Sequence, residues 1–182
     1  MTDIELSKKL REDARKLGLC DMWYGQWKDD TDKDELVSMF HRGLDFCLKH
    51  RWPSKSFITQ HFPQDFLRDN GILVDDTRSY PVRDSNRRLV HLKEFVLFGD
   101  SYATLRYAYR PHMCNVWVCD TSSVKVDVKY GAFILIHLFD NTSAEIKTDL
   151  VSSVTVIRHS KDVKIKKKEG IVTVKDEFHY LE

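Results

Sequence analysis

The chain carries almost no excess charge. Its 29 Lys and Arg residues face 28 Asp and Glu, a formal net charge of +1 over 182 residues, so no global field draws it toward nucleic acid or an anionic membrane. It has no long uncharged apolar run, and a helical membrane span is not expected. The opening M-T-D-I-E-L-S-K-K-L lacks the apolar centre of a secretory signal, so a cytoplasmic site of action is the expectation. There are four cysteines, Cys20, Cys47, Cys114 and Cys119, with no C-x-x-C pair among them. They stand inside apolar patterns and read as reduced, mostly buried thiols. Neither G-x-x-x-x-G-K nor G-x-G-x-x-G occurs, which leaves a nucleotide cofactor without a phosphate-binding motif.

What is present is enough for a folded protein. A hydrophobic share of 42% with 12% aromatics is ordinary to rich for a globular chain, and a chain of this length hides roughly 70% of its unfolded surface.

The first part is patterned for helices. Thr2 followed by Glu5 is a capping box, and Leu6, Leu10, Ala14 and Leu17 recur at helical spacing before Gly18, predicting a helix over about residues 3–17. After a loop bearing Trp23, Tyr24 and Trp27, Thr31 or Asp32 offers the next cap. Leu36, Val37, Phe40, Leu44, Cys47 and Leu48 then form one apolar stripe, predicting a second helix to about His50. Ser54 can cap a short helix through Ile58, and Pro63 opens another before Asn70-Gly71. A small helical domain over residues 1–80 follows.

From Phe95 onward, alternation replaces helical periodicity. The pairs are Val96/Phe98, Ala103/Leu105, Val116/Val118, Val124/Val126, Ile134/Ile136, Ala144/Ile146, Val154/Val156, Val163/Ile165 and Val172/Val174. They come at spacings near ten residues, with Asp, Asn, Gly or Ser between them. These turns lack the Asn-Gly or Asp-Gly signature of tight hairpins, so the spacing favours a coil over a meander. S-S-V-K-V at 122–126 recurs as S-S-V-T-V at 152–156, thirty residues on, while Ile134, Val154 and Val174 keep a twenty-residue register. Both periods divide by ten. Three sides per coil is the favoured expectation, two sides the other. The fold class expected is α+β: a helical domain followed, over residues 81–182, by a parallel β-solenoid of about nine short strands, with a β-sandwich as the alternative.

These V-x-V phrases with their Asp, Asn and Gly corners, over roughly residues 95–176, resemble the β-solenoid core of bactofilins. The resemblance implies cytoskeletal proteins that polymerise end to end. R-G-L-D-F-C at 42–47 and W-P-S at 52–54 are similar to uncharacterised bacterial and phage proteins, and no activity follows from that likeness.

Chemistry is sparse. H-x-C-x4-C at His112, Cys114 and Cys119 lacks the paired spacing of a zinc site. His41 and Cys47 are six apart, on opposite faces of a helix. His50, His61, His91, His137, His159 and His179 form no recognisable triad with a nucleophile. No catalytic, cofactor-binding or metal-ligating residue is assigned. Two groups remain as interaction candidates. Lys161, Lys164, Lys166, Lys167 and Lys168 form the densest charge cluster, either a phosphate-contacting patch or the solvated edge of a terminal strand. Trp23, Tyr24 and Trp27 form either a binding surface or part of the helical core. Asp127 and Glu145, both outward, are the acidic pair a carbohydrate-active face would need. The expected role is a non-enzymatic protein-interaction or assembly module, binding a protein partner or itself as a homodimer. Nucleic-acid binding through the lysines and carbohydrate binding on the coil face are alternatives, and no membrane association is expected.

Overall fold

The computed structural model describes residues 1–82, 94–107 and 113–181, with the backbone alone for Pro81, Val82 and Lys167. His91 and His112 lie outside these residues. The chain divides into two compact units, Met1–Pro63 together with Leu181 near the C-terminus, and Gln64–Tyr180.

The first unit holds five helices: α1 (Asp3–Lys16), α2 (Asp21–Gln26), α3 (Lys33–Arg42), α4 (Leu44–His50) and α5 (Lys55–His61). The capping box forms, with the Thr2 hydroxyl accepting from the Glu5 amide at 3.3 Å and the Glu5 carboxylate accepting from the Thr2 amide at 2.7 Å. Asp32, rather than Thr31, caps α3 by accepting from the Glu35 amide at 2.9 Å, and Ser54 caps α5 through the Phe57 amide. The stripe read as one helix is two, parted at Gly43. The loop carrying the aromatics contains the short α2, capped by an exposed Cys20 whose side chain makes no cap bond.

The second unit is a β-solenoid. Its strands are β1 (Ile72–Val74), β2 (Thr77–Val82), β3 (Glu94–Phe98), β4 (Tyr102–Tyr107), β5 (Cys114–Val118), β6 (Ser123–Val128), β7 (Phe133–Leu138), β8 (Ser143–Thr148), β9 (Ser153–Arg158), β10 (Lys164–Glu169) and β11 (Val172–Asp176). Odd strands form one parallel sheet in the order β1-β3-β5-β7-β9-β11, and even strands the other, β10-β8-β6-β4-β2. Each coil therefore has two sides, not three. Val116 pairs with Ile136, and Ile136 with Val156, a twenty-residue step. The thirty-residue echo is one and a half coils, which is why the phrase in β6 reappears in β9 on the opposite sheet.

Three further expectations are corrected. The solenoid starts before residue 81, because the short apolar run Ile72-Leu73-Val74 and the proline-bearing β2 already form its first rung. A helix that the sequence assigns to the bundle, α6 (Gln64–Asp69), belongs to this unit and packs on β1. In β3 the inward residues are Phe95 and Leu97, opposite Val116 and Val118, while Val96 pairs with the outward Trp117. A shift of one residue exchanges the two faces of a strand.

The interior is a set of stacked apolar columns, such as Phe95-Val116-Ile136-Val156-Val174 on the odd sheet. Tyr80-Leu105-Val126-Ile146 is its counterpart on the even sheet. All but the terminal Val174 are at most 4% exposed.

The corners hold the coils in register. Asp75, Asp120 and Asp140 take positive φ of 49°, 60° and 48° at successive odd-sheet corners, with Gly99 at 73° between the first two. The Asp120 carboxylate accepts from the Gly99 amide at 2.7 Å, and Asp140 from the Asp120 amide at 3.0 Å. Ser101, Ser122 and Thr142, 0–1% exposed, line the same edge. The Ser122 hydroxyl accepts from the Ser101 amide and donates to the Gly99 carbonyl. At the even-sheet corners the Ser152 hydroxyl and the Asp149 carboxylate accept from the Gly131 and Tyr130 amides. Gly170, at φ +87°, leaves no room for a side chain, since a Cβ there would stand 2.2 Å from the Thr148 hydroxyl.

Replacing Asp120 with alanine should lower unfolding free energy by about 1–2 kcal/mol, the usual loss when a part-buried amide loses its acceptor. Asp120→Asn keeps an acceptor and tolerates positive φ, so its denaturation midpoint should stay near the parent's. Equal losses in the two variants would show that the carboxylate charge, rather than the acceptor, matters.

Candidate interaction site

The outward side of the odd sheet gathers rings that the sequence leaves scattered. Trp117 in β5 and His137 in β7 are paired across adjacent rungs and stack with centroids 3.9 Å apart and planes 8° apart. Phe139 and His159 repeat the arrangement beside the neighbouring corner at 4.3 Å and 15°. Each pair is twenty residues apart, one coil. Tyr180 lies against all four rings, with centroids between 4.6 and 6.2 Å. The segment after β11 therefore runs back along the outer face toward earlier coils.

Hydrogen bonds order the histidine pair. The Glu177 carbonyl, 2.8 Å from His159 Nδ1, can only accept, so that nitrogen carries the proton. His159 Nε2 is then an acceptor, and His137 Nδ1, 3.0 Å away, must donate. The Trp117 indole N–H donates to Glu94 at 2.8 Å, placing a carboxylate at the other end of the stack. His137 is 6% exposed, and its burial, reinforced by His159, brings its pKa down to about 4. Burial also lowers His159, partly opposed by the Glu177 carbonyl. At neutral pH the pair is uncharged and joins the C-terminal segment to the coil.

The lysine cluster lies at the last rung. Lys164, Lys166 and Lys168 are exposed along β10 and Lys161 on the corner before it, while the Lys167 side chain lies outside the described residues. No strand among the described residues pairs with the outer edge of β10 or β11. The residues beneath are only partly covered, for Ile165, Val172 and Val174 pack against the core yet remain half-buried. A register shift between Ile165 and Lys167 brings Lys168 opposite Ile146. The column Tyr80-Leu105-Val126-Ile146 thus ends in a lysine. A bulge and an inward-register charge are both devices that blunt a strand edge.

The opposite end is closed differently. The Tyr80 hydroxyl donates to the Arg68 carbonyl of α6 at 3.1 Å, and the Arg68 guanidinium grips the Asp76 carboxylate through two bonds of 2.6 and 2.8 Å. The ion pair holds Asp76 below the ordinary carboxylate range.

The aromatic candidates separate by role. Trp27 is buried, its N–H donating to the Ser7 hydroxyl at 3.0 Å, so it is part of the helical core. Tyr24 lies under the Arg11 guanidinium, 4.1 Å from the ring centre, and Trp23 is half-buried with Arg42 at 5.7 Å. Asp127 and Glu145 are each set against lysines. Glu145 is 3.6 Å from Lys125 on the adjacent rung, and Asp127 is 4.0 Å from Lys129 and registers opposite Lys147. Cys47 is core, its thiol pushed up to about 12 by burial. Cys114 faces the coil interior, 2.8 Å from the Tyr107 hydroxyl.

Comparison with known proteins finds no matching family model, curated protein or solved structure.

His137 is neutral in the fold and protonates more readily in the unfolded chain, whose imidazole has a pKa near 6.5. Its contribution to stability is therefore complete above about pH 6.5 and lost as the pH falls toward about 4. Denaturant unfolding followed by tryptophan fluorescence should show this acid loss, and His137→Phe, which keeps a ring in the stack, should flatten it. In the helical unit, Trp27→Ala should cost about 3–5 kcal/mol as a large-to-small core change and Trp23→Ala clearly less. Equal melting losses would place both in the core.

Proposed function

We propose that the chain is a non-enzymatic protein-interaction module whose solenoid supplies the docking element at its open terminal rung. The observation that carries this reading is the contrast between the coil's two ends. The first rung is joined to α6 through Tyr80, Arg68 and Asp76. β2 also carries Pro81, which has no N–H to give a further strand. At the last rung no strand among the described residues pairs with the outer edge of β10 or β11, and Ile165, Val172 and Val174 are only half-buried. Strand edges of this kind are where a second polypeptide adds by main-chain hydrogen bonding.

End-to-end polymerisation, which the bactofilin resemblance implies, would require one copy's last rung to meet another's first. There α6 and Pro81 stand in the way. Two last rungs meeting each other would set β10 lysines against β10 lysines, so a homodimer through this end is disfavoured. A protein of different sequence suits the site better.

Nucleic-acid binding is the second reading. It is favoured by the exposure of Lys161, Lys164, Lys166 and Lys168, none of which is in an ion pair among the described residues. It would give retention on heparin that falls steeply with salt.

A photo-crosslinking residue at Thr173, exposed on β11, should yield a defined protein adduct in cell extract, and one at Thr77, exposed on β2, should not. Equal labelling from both positions, or none from Thr173, would sink the coil-end reading. Steep salt-dependent heparin retention, abolished by Lys166→Glu with Lys168→Glu, would move the assignment to nucleic acid.

A further inference from the structure

The exposed apolar side chains of the coil gather along one of its two edges. The corners leading from even strands to odd ones carry Tyr130, Leu150 and Val151. Beside them stand Phe133, the first residue of β7, and Met113 and Ile171, just ahead of β5 and β11. Phe133 registers opposite Ser153, while Met113 and Ile171 precede Cys114 and Val172, the partners of Ile134 and Val154. Four successive coils thus supply one apolar strip, roughly 15 Å long at the ordinary spacing of rungs. Leu150 and Val151 stand near its middle, 88% and 72% exposed. The opposite edge presents Asp100, Thr121, Asn141 and Lys161 to solvent. Turning a corner therefore does not require the apolar residues, and a contiguous exposed strip of them marks a contact surface.

The charges that border this edge are ordered as a second copy would need them. On the even sheet, the outward residues nearest the corner are Arg106, Asp127, Lys147 and Glu169, one per rung and in register. Reversed, that series has the opposite sign at every place. Two copies laid edge to edge with their coils antiparallel, about a two-fold axis normal to the sheets and between the rungs of Asp127 and Lys147, set Arg106 against Glu169 and Asp127 against Lys147. The same axis brings Met113 to Ile171, Tyr130 to Leu150, and the corner residue Lys129 to Asp149. Parallel coils would instead set the charged column against Met113, Phe133, Ser153 and Ile171, which carry no charge to answer it. The six bordering charges sum to zero, which gives an anionic membrane nothing to attract.

We infer that the chain forms an antiparallel homodimer, edge to edge, through the corners around Tyr130 and Leu150. Such a two-fold contact is self-complementary and closed, so it ends at two copies. The apolar strip supplies the burial and the bordering charges fix the orientation. This surface is distinct from the terminal rung, and pairing at the side of the coil leaves the outer edges of β10 and β11 open to another protein.

Sedimentation velocity of the full chain should show a species of twice the chain's mass at about 100 μM, a concentration suited to a small interface. Leu150→Asp with Val151→Asp should abolish it. Asp127→Lys and Lys147→Glu should each weaken dimerisation by about tenfold or more, because the two-fold axis reverses two contacts at once. An equimolar mixture of those two variants should restore it, since each new charge then meets its opposite. Should one of them fail to fold, Arg106→Glu and Glu169→Lys make the same exchange at the outer pair. A chain that stays monomeric overturns the proposal, as does a dimer that survives the change at Leu150 and Val151. Weakening without rescue in the mixture overturns the antiparallel pairing. A monomer that binds vesicles of phosphatidylcholine and phosphatidylserine, and loses them with Leu150→Asp and Val151→Asp, would assign the edge to a membrane instead. A monomer that still crosslinks a partner from Thr173 overturns the dimer and leaves the coil-end reading standing.

Discussion

The solenoid depends on its corners. A strand can bond to the strand below it throughout its length, but where the chain bends from one sheet to the other its amides leave the ladder and need acceptors. At the odd-sheet corners the backbone passes through positive φ at Asp75, Gly99, Asp120 and Asp140. The freed amides of Gly99 and Asp120 are taken by the carboxylate one coil further on. Buried Ser101 and Ser122 repeat the exchange one step inward. Aspartate serves twice in this position, tolerating the left-handed backbone and supplying the acceptor. With corners so fixed, the interior is filled by stacked side chains, aliphatic in the later coils and joined by Tyr80, Phe95 and Tyr107 in the earlier ones.

A coil of parallel rungs has unpaired edges only at its ends, so the character of the whole unit is decided there. One end is closed by a helix turn, with Tyr80 at the foot of a core column reaching the Arg68 carbonyl. The other ends that column in Lys168, above Ile146. Along the flank, the rings of Trp117, His137, Phe139 and His159 stack coil on coil and receive Tyr180. Tyr180 and the Glu177 carbonyl are thereby held on the outer face.

Much of the fold was legible in the chain. The V-x-V pairs, their spacing and the Asp, Asn and Gly between them led to a parallel solenoid, and the caps at Thr2 and Ser54 led to the right helix starts. The number of sides was not legible. A unit near ten residues is one strand and one corner, and S-S-V-K-V with S-S-V-T-V looks identical whether the sheets number two or three. The first rung escaped notice because Ile72-Leu73-Val74 is too short to show alternation and Pro81 interrupts β2. The ring ladder was present as a twenty-residue offset, Trp117 to His137 and Phe139 to His159. It has meaning only once the twenty-residue coil is chosen over the thirty.

By itself, then, the sequence determined which residues alternate, which turn and which cap, because those depend on contacts within a few residues. Only the tertiary structure decided the two-sided coil, the pairing of His137 with His159, the stack that joins Trp117 to His137, and the difference between the helix-bound first rung and the last. These arise between residues about a coil apart, and the register that joins them is set by the corners acting together with the packed columns.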